Sequence, residues 1–154
     1  MEFHDYIQLK NIYLEIRSNQ KKITPIKPTI SRLDANPSSI INKIKIELNI
    51  YLTSGLIDNQ KLFNYCEKDK LTDFQQKFIK HLISIPTGET RTYKDLSLSF
   101  SNSPNYARAL GQSINKNPFL LIVPCHRITS LNDIGGFILG KKIKMHLLNI
   151  ENHK

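Results

Sequence analysis

Hydrophobic and polar residues alternate along the first part of the chain. The apolar residues recur at nearly every second position, at Ile7, Leu9, Ile12, Leu14 and Ile16. The alternation fails near Lys10, so the pattern predicts either one strand or two strands with a break at that point. Residues 21–31 contain Pro25 and Pro28, which exclude a helix interior and allow only edge strands or turns.

After residue 38 the apolar residues change to helical spacing. They lie on one predicted helix face at Ile41, Ile44, Leu48, Tyr51 and Leu52. Ser38 or Ser39 is suited to cap the N-terminus of this helix. Residues 55–70 are rich in Asp, Asn and Lys and predict a loop or a short helix. We place a domain boundary there, between residues 1–70 and residues 71–154.

The second domain begins with a strong helix signal. Thr72 and Gln75 form a capping box, in which each side chain satisfies a free backbone donor, and the helix is expected to end before Pro86. Further along, the apolar run 119–123 has the length of a strand, and residues 141–151 predict a last helix. The whole pattern predicts an α/β (α+β) fold with a small N-terminal domain of sheet and helix and a mainly helical C-terminal domain.

Two more caps predict a pair of short helices in the C-terminal domain. Thr92 begins one that runs through Phe100, and Ser103 begins another that runs to about Asn115. Two short helices joined by a tight turn resemble a helix-turn-helix, a pattern that many other helix pairs share.

The chain carries an excess of positive charge. Its 154 residues include 22 Lys and Arg against 13 Asp and Glu, a formal net charge of +9. This charge favours a polyanionic partner, nucleic acid before membrane. Residues 72–154 hold 11 basic and 5 acidic residues, or +6, whereas residues 1–71 hold 11 and 8, or +3. Most of the excess therefore lies in the predicted helical domain.

The sequence also argues against several classes of protein. No apolar run approaches the ~20 residues of a membrane span, and the acidic, polar N-terminus does not resemble a secretory signal. The two cysteines stand outside any CxxC pattern, which disfavours a disulfide framework or a zinc ribbon. We expect no metal site, a bystander role for Cys66 in a polar loop, and a cytoplasmic protein, or a nuclear one in a eukaryote.

Candidate chemistry lies directly after the apolar run, at Cys125, His126 and Arg127. A cysteine attacks as the thiolate, so a thiol with an ordinary pKa of ~8.5 needs a base or a positive field nearby. Adjacent side chains of a strand point to opposite faces. His126 therefore reaches Cys125 only if the backbone turns after Pro124 or if a water bridges the two. The alternative is a buried, inert cysteine beside a surface His and Arg.

Short stretches between residues 72 and 151 occur together in a distinctive order and spacing. They are Phe74–Gln75, Ile85–Tyr93 (IPTGETRTY), Ala107–Gly111 (ARALG), Asn117–Pro118, Val123–Ile128 (VPCHRI), Gly135–Gly140 (GGFILG), Leu147–Leu148 and Glu151. In these respects this half of the chain resembles the methylated-DNA–protein-cysteine methyltransferase family, also called O6-alkylguanine-DNA alkyltransferases. The first 70 residues carry no motif that we can match to the family.

The resemblance implies single-turnover DNA repair by a methylated-DNA–protein-cysteine S-methyltransferase. Such a protein flips O6-alkylguanine, mainly O6-methylguanine, out of duplex DNA and transfers the alkyl group irreversibly and stoichiometrically to Cys125, without a cofactor. The implied partner is double-stranded DNA, entered through the minor groove with little sequence specificity. We expect a monomer that does not bind membranes.

The resemblance also assigns catalytic roles. Cys125 would accept the alkyl group, His126 would deprotonate it through a water, Glu151 would orient His126, and Asn117 would brace the cysteine loop and the recognition helix. The residues alone leave two alternatives open. Glu151 could be a solvated C-terminal charge, and Asn117 could be an ordinary turn residue before Pro118.

Further residues are implied to contact the DNA or the target base. They are Tyr93, Ser103, Ala107, Arg108, Arg127, Phe137 and Ile138. Arg108 would replace the flipped nucleotide in the base stack, with a phosphate contact as the alternative. Tyr93 would line the pocket, or else be a core aromatic with a wet hydroxyl. For Arg127 we favour a structural role, as an ion pair or helix contact, over a catalytic one.

Two features, at three positions, depart from the family pattern. Phe137 stands where the family usually has Tyr, and Ile138 and Leu139 stand where it usually has small residues, often Gly. The backbone amide of Ile138 can still donate a hydrogen bond to the guanine O6. The bulk of Ile138 and Leu139 would narrow the pocket, so we hypothesise that methyl adducts are accepted better than benzyl adducts.

Three other functions compete with this one. A non-catalytic alkyltransferase-like protein shares the scaffold but usually has Trp at the acceptor position, which Cys125 argues against. A helix-turn-helix regulator is expected to dimerise, and a Cys–His hydrolase needs deacylation machinery; the sequence shows neither feature. A sulfur enclosed in hydrocarbon, with no opening beside the helix that carries Arg108, would contradict the alkyl-acceptor function.

Overall fold

A computed structural model describes residues 2–152, apart from the side chain of Pro104. The chain begins with an antiparallel sheet of β1 (Phe3–Leu9), β2 (Ile12–Ser18) and β3 (Ile23–Thr29), in that order. The predicted break between the first two strands is confirmed, since Lys10 lies in the turn with a φ of 57°. Both prolines lie in β3, which is an edge strand of this sheet, as the missing N–H of proline requires.

The first helix, α1 (Ser39–Ser54), packs on β1 and β2 through its predicted apolar face. Ser38 caps it by accepting a hydrogen bond from the backbone N–H of Ile41, and Gly55 ends it with a φ of 74°. A short helix, α2 (Asn59–Phe63), follows. Cys66 is buried rather than placed in a polar loop, because the backbone around it pairs with β3 at Ile23.

Helices dominate the rest of the chain. In order, the elements are α3 (Asp73–Ile83), β4 (Arg91–Thr92), α4 (Tyr93–Ser101), a 3-10 turn (Pro104–Tyr106), α5 (Ala107–Ile114), a 3-10 turn (Cys125–Arg127), β5 (Ile128–Thr129) and α6 (Lys141–Asn152). The capping box of Thr72 with Gln75 is confirmed, and the cap predicted at Thr92 is a second capping box, with Asp95. The helix that we predicted to begin at Ser103 is α5, and it begins later, at Ala107, because residues 104–106 form the 3-10 turn.

The predicted strand at residues 119–123 is wrong. The segment forms a buried turn, in which the N–H of Val123 donates to the carbonyl of Phe119 and Leu121 adopts a left-handed φ of 70°. Asn59 of α2 satisfies two carbonyls of this turn, donating to Ile122 at 2.9 Å and to Leu121 at 3.4 Å. A side chain distant in sequence thus replaces the strand partners that the apolar run would need.

Buried residues from both halves of the chain form one connected hydrophobic cluster. The small antiparallel sheet and the packed helices confirm the predicted α/β class, while the domain boundary at residue 70 stays a prediction. Within residues 2–152, no helix is long and apolar enough to cross a membrane.

Candidate active site

The backbone turns at the cysteine, as the sequence required for a working Cys–His pair. Pro124 precedes a 3-10 turn over Cys125–Arg127, and all three side chains of that turn are buried. The next two residues form β5, which pairs in parallel with β4 at the start of α4. The turn therefore lies between the core and the N-terminus of α4.

The Asn117 side chain holds this turn in place. Its amide donates to the carbonyl of Val123 at 3.0 Å and to the sulfur of Cys125 at 3.2 Å. Its side-chain oxygen accepts a hydrogen bond from the N–H of Phe119 at 3.0 Å. Asn117 follows α5 and so connects that helix to the cysteine loop, which is the geometry of the predicted brace.

The Cys125 thiol is protonated at rest. Burial raises its pKa to about 11, against the smaller lowering effects of the Asn117 hydrogen bond and the Lys144 charge. Cys125 is only 1% exposed, so its sulfur is buried, as the observation that would contradict an alkyl acceptor requires. The surroundings are not hydrocarbon alone, because the Asn117 amide touches the sulfur and the Lys144 charge acts on it.

His126 does not bond to Cys125 but to Glu151 of α6. Its Nε2 lies 2.7 Å from Glu151 Oε1, whereas its buried Nδ1 has no hydrogen-bond partner within residues 2–152. Burial lowers the pKa of His126 and outweighs the opposing effect of Glu151. A neutral imidazole that donates Nε2–H to the carboxylate leaves the Nδ1 lone pair as its basic site.

Arg127 is a structural residue. Its guanidinium donates to both oxygens of Glu151, to the Ile85 carbonyl, to Asn59 Oδ1 and to Thr87 Oγ1. The side chain is buried and committed to these partners. These contacts favour the structural role of Arg127 that we preferred from the sequence over the DNA contact that the resemblance implies.

Glu151 is a buried carboxylate and not a solvated terminal charge. Burial alone would raise its pKa, but the hydrogen bonds from His126 and Arg127 and the positive charge of Arg127 lower it to about 2. The group is thus ionised at neutral pH, and its negative charge lies between the imidazole and the guanidinium.

Lys144 of α6 brings a positive charge that acts on the sulfur of Cys125. Its ammonium donates to the carbonyls of Ile128 and Gly136, which ties the residue after the cysteine turn to the turn at Gly135. Burial lowers the pKa of Lys144 to about 8. Gly135 has a φ of 77°, and a Cβ there would lie 3.0 Å from the backbone N of Ser130, so the turn favours glycine.

Two of the predicted base-contacting residues, Tyr93 and Phe137, lie next to this centre. Tyr93, at the start of α4, is half-buried and interacts electrostatically with Cys125, and its ring lies against Gly111 of α5. Phe137 makes an edge contact with the His126 ring, with 6.4 Å between centroids. The Ile138 side chain is 46% exposed.

Arg108 lies on the outer side of α5. Its side chain is exposed and makes no hydrogen bond or ion pair with the described part of the chain, while Ala107 beside it is half-buried. The Ser103 hydroxyl accepts a hydrogen bond from the N–H of Asn105 and so stabilises the turn into the helix. Helix α5 packs on α4, and an exposed cation projects from the pair.

The comparisons with known proteins agree on one family. Residues 73–153 match the model of the 6-O-methylguanine DNA methyltransferase, DNA binding domain. A Saccharolobus islandicus methylated-DNA–protein-cysteine methyltransferase is 42% identical over 124 residues, which cover 80% of this chain and 75% of that protein. The chain belongs to the 6-O-methylguanine DNA methyltransferase family.

Two further relatives of this methyltransferase family extend the match. A probable methylated-DNA–protein-cysteine methyltransferase of Acanthamoeba polyphaga mimivirus is 43% identical over 82 residues, and the chain spans 54% of its length. The structure of the Mycobacterium tuberculosis OGT in complex with DNA superposes with a TM-score of 0.78 at 28% identity, covering 97% of this chain and 93% of that one.

The methyltransferase family model covers every predicted site residue, but three residues of the observed site were not predicted. Tyr51 and Asn59 lie outside the matched segment, and Lys144 lies within it. Tyr51 looked like one more apolar residue of α1, and Asn59 like part of a polar loop. Lys144 offered one signal, since it shares the buried face of α6 with Leu147 and Glu151. Within residues 2–152, no cluster of three His, Cys, Asp or Glu side chains is arranged to bind a metal.

Proposed function

We propose that the chain repairs O6-methylguanine in double-stranded DNA by transferring the methyl group to its own Cys125. The observation that carries the proposal is a thiol braced by Asn117 beside a neutral His126, which is itself fixed by ionised Glu151. The same three elements, nucleophile, base and orienting group, recur in other covalent active sites. Family membership of the chain supplies the reaction type.

The proton path follows from the free nitrogen of His126. Because Nε2–H is committed to Glu151, the base is Nδ1, which takes the proton of Cys125 through a bridging water. The sulfur then attacks the methyl carbon, an S–C bond forms and the C–O6 bond breaks. The bonding electrons pass to the guanine, which gains a proton and leaves as unmodified guanine. The product thioether has no leaving group that water can displace easily, so the protein acts once.

Access to the sulfur requires a local rearrangement, because Cys125 is 1% exposed. We propose that the target base, flipped out of the duplex, reaches the sulfur between Tyr93 and the segment of Phe137 and Ile138. Arg108 would fill the place of the base from α5, with Ala107 and Ser103 close to the DNA backbone. Minor-groove entry by a helix-turn-helix of α4 and α5 is part of this proposal, since such a contact reads little sequence.

We further propose that the protein is a monomer and that it acts in the cytoplasm, or in the nucleus of a eukaryote. The excess positive charge of residues 72–154 supports DNA as the partner, because cationic surfaces gain affinity by displacing the counterions of phosphates. We expect the affinity for duplex DNA to fall steeply as salt rises.

Intact-mass spectrometry after incubation with an O6-methylguanine duplex tests the function. We expect a gain of one methyl group in place of one hydrogen, located on Cys125, with a plateau at one equivalent per protein. The variant Cys125→Ala should gain nothing while it still binds the duplex, and Cys66→Ala should react as the unaltered protein does. Binding to the lesion without methyl gain by the unaltered protein would favour the alkyltransferase-like alternative.

A further inference from the structure

The Tyr51 hydroxyl lies at the His126–Glu151 pair, although Tyr51 belongs to the N-terminal helix α1. It donates a hydrogen bond to Glu151 Oε1 at 2.8 Å, and its oxygen lies 3.2 Å from His126 Nε2. The side chain is buried. A residue far from the cysteine in sequence thus contacts both groups that would activate it.

The protonation state of Tyr51 suits a permanent donor. Burial, followed by the negative charge of Glu151, raises the pKa of the phenol far above neutrality. Glu151 Oε1 consequently receives three donors, from Tyr51, His126 and Arg127. The tyrosine oxygen also lies beside the Nε2–H that His126 donates to Glu151, so one hydroxyl contacts both the carboxylate and the imidazole.

The end of α1, just after Tyr51, packs closely against helix α6. The N–H of Gly55 donates to the Tyr51 carbonyl at 2.7 Å and closes α1. A Cβ at Gly55 would lie 2.5 Å from the carbonyl oxygen of Ile150, the residue before Glu151. A side chain at Gly55 would therefore collide with that carbonyl, and glycine lets the end of α1 pack against the residue that precedes Glu151.

We propose that Tyr51 is a positioning residue for methyl transfer: its hydroxyl fixes Glu151 and His126 in the orientation that leaves His126 Nδ1 open towards Cys125. This proposal rests on the proposed function of the chain. It also gives the N-terminal part of the protein a direct part in the site, since α1 carries the hydroxyl.

The variant Tyr51→Phe removes the hydroxyl and keeps the ring. Single-turnover rates measured against the concentration of methylated duplex separate the maximal transfer rate from DNA affinity. We expect the maximal rate to fall roughly tenfold, the size of a lost hydrogen bond to a charged group, with the half-saturating DNA concentration unchanged. The matched control is Tyr6→Phe, which removes a buried hydroxyl that accepts from the N–H of Leu33, and it should transfer at the original rate. Circular dichroism identifies a temperature at which all variants are folded.

A double-mutant cycle with Glu151→Gln distinguishes positioning from general loosening of the fold. If the hydroxyl acts through the carboxylate, Tyr51→Phe should cost much less in the Glu151→Gln background than alone. An unchanged rate in Tyr51→Phe, or an equal loss in both backgrounds, would overturn the proposal. A failure of the proposed function looks different, because the unaltered protein would then gain no methyl group at all.

Discussion

The side-chain amide of Asn117 donates a hydrogen bond to the sulfur of Cys125 over 3.2 Å. Asn117 closes the segment that leaves α5, and Cys125 begins the turn after Pro124, so one hydrogen bond joins the segment after α5 to the sulfur. A donor to sulfur stabilises the thiolate more than the thiol. This bond therefore lowers the pKa of a group that burial raises.

Burial and the Asn117 hydrogen bond have opposite effects on the pKa of Cys125, and a titration can measure both. In a Cys66→Ala background, we expect the iodoacetamide alkylation rate of Cys125 to keep rising with pH beyond the ~8.5 of an ordinary thiol, because burial raises the pKa to about 11. Asn117→Ala should move the profile to still higher pH, since it removes a donor to the thiolate. Asn64→Ala, in the N-terminal half, is the control. A profile that levels off near neutral pH would contradict the resting thiol.

Stability at low pH depends on Glu151. Its pKa is depressed from 4.5 to about 2, so ionised Glu151 stabilises the folded state above pH ~4.5, and this contribution is lost as pH falls towards 2. The loss amounts to ~3 kcal/mol by linkage. Urea unfolding of the unaltered protein across this range should show the loss, and Glu151→Gln should lack most of it.

The carboxyl titration can also be followed directly. The variant Glu151→Gln removes the charged partner of buried Arg127 and could for that reason fail to fold. In that case a carbon-13 NMR titration of the Glu151 carboxyl in the unaltered protein measures the same pKa. A carboxyl that titrates near its ordinary value would contradict the buried pairing with His126 and Arg127.

Local signals predicted much of the fold. The capping boxes at Thr72 and Thr92 depend on residues three positions apart, so the sequence alone reveals them. The strand at residues 119–123 failed for the opposite reason. Two of its carbonyls accept hydrogen bonds from Asn59, and no local pattern shows that a side chain so distant will replace strand partners.

The residues of the candidate site likewise fall into those that the sequence could name and those that only the packed structure reveals. Cys125, His126 and Arg127 are contiguous, and Glu151 was reached through the resemblance, so these residues could be named in advance. The burial of Arg127 and the hydroxyl contact of Tyr51 arise only when α1 and α6 pack against the cysteine turn. The helical spacing of α1 places the Tyr51 ring on the buried apolar face, but it gives no information about the partner of the hydroxyl at the end of that ring.

Arg108 is expected to matter for duplex DNA and not for the chemistry itself. Arg108→Ala should slow transfer from a methylated duplex on the order of tenfold or more, because extruding a base costs a few kcal/mol and the arginine offsets part of it. Reaction with free O6-methylguanine should change little. Arg91→Ala, which removes another exposed arginine that pairs with Glu89, is the matched control. Equal slowing on duplex and free base would argue against a role in flipping.

The size of the accepted adduct tests the departures from the family pattern. Leu139 packs against the core and Ile138 lies at the surface beside Phe137, so their bulk borders the proposed path of the base. Matched duplexes that carry O6-methylguanine or O6-benzylguanine keep the DNA contribution constant. We expect faster transfer of methyl than of benzyl, and a larger gain for benzyl than for methyl when Leu139→Gly opens the path. Comparable rates for the two adducts in the unaltered protein would remove the hypothesis, since a narrowed pocket must hinder the larger group first.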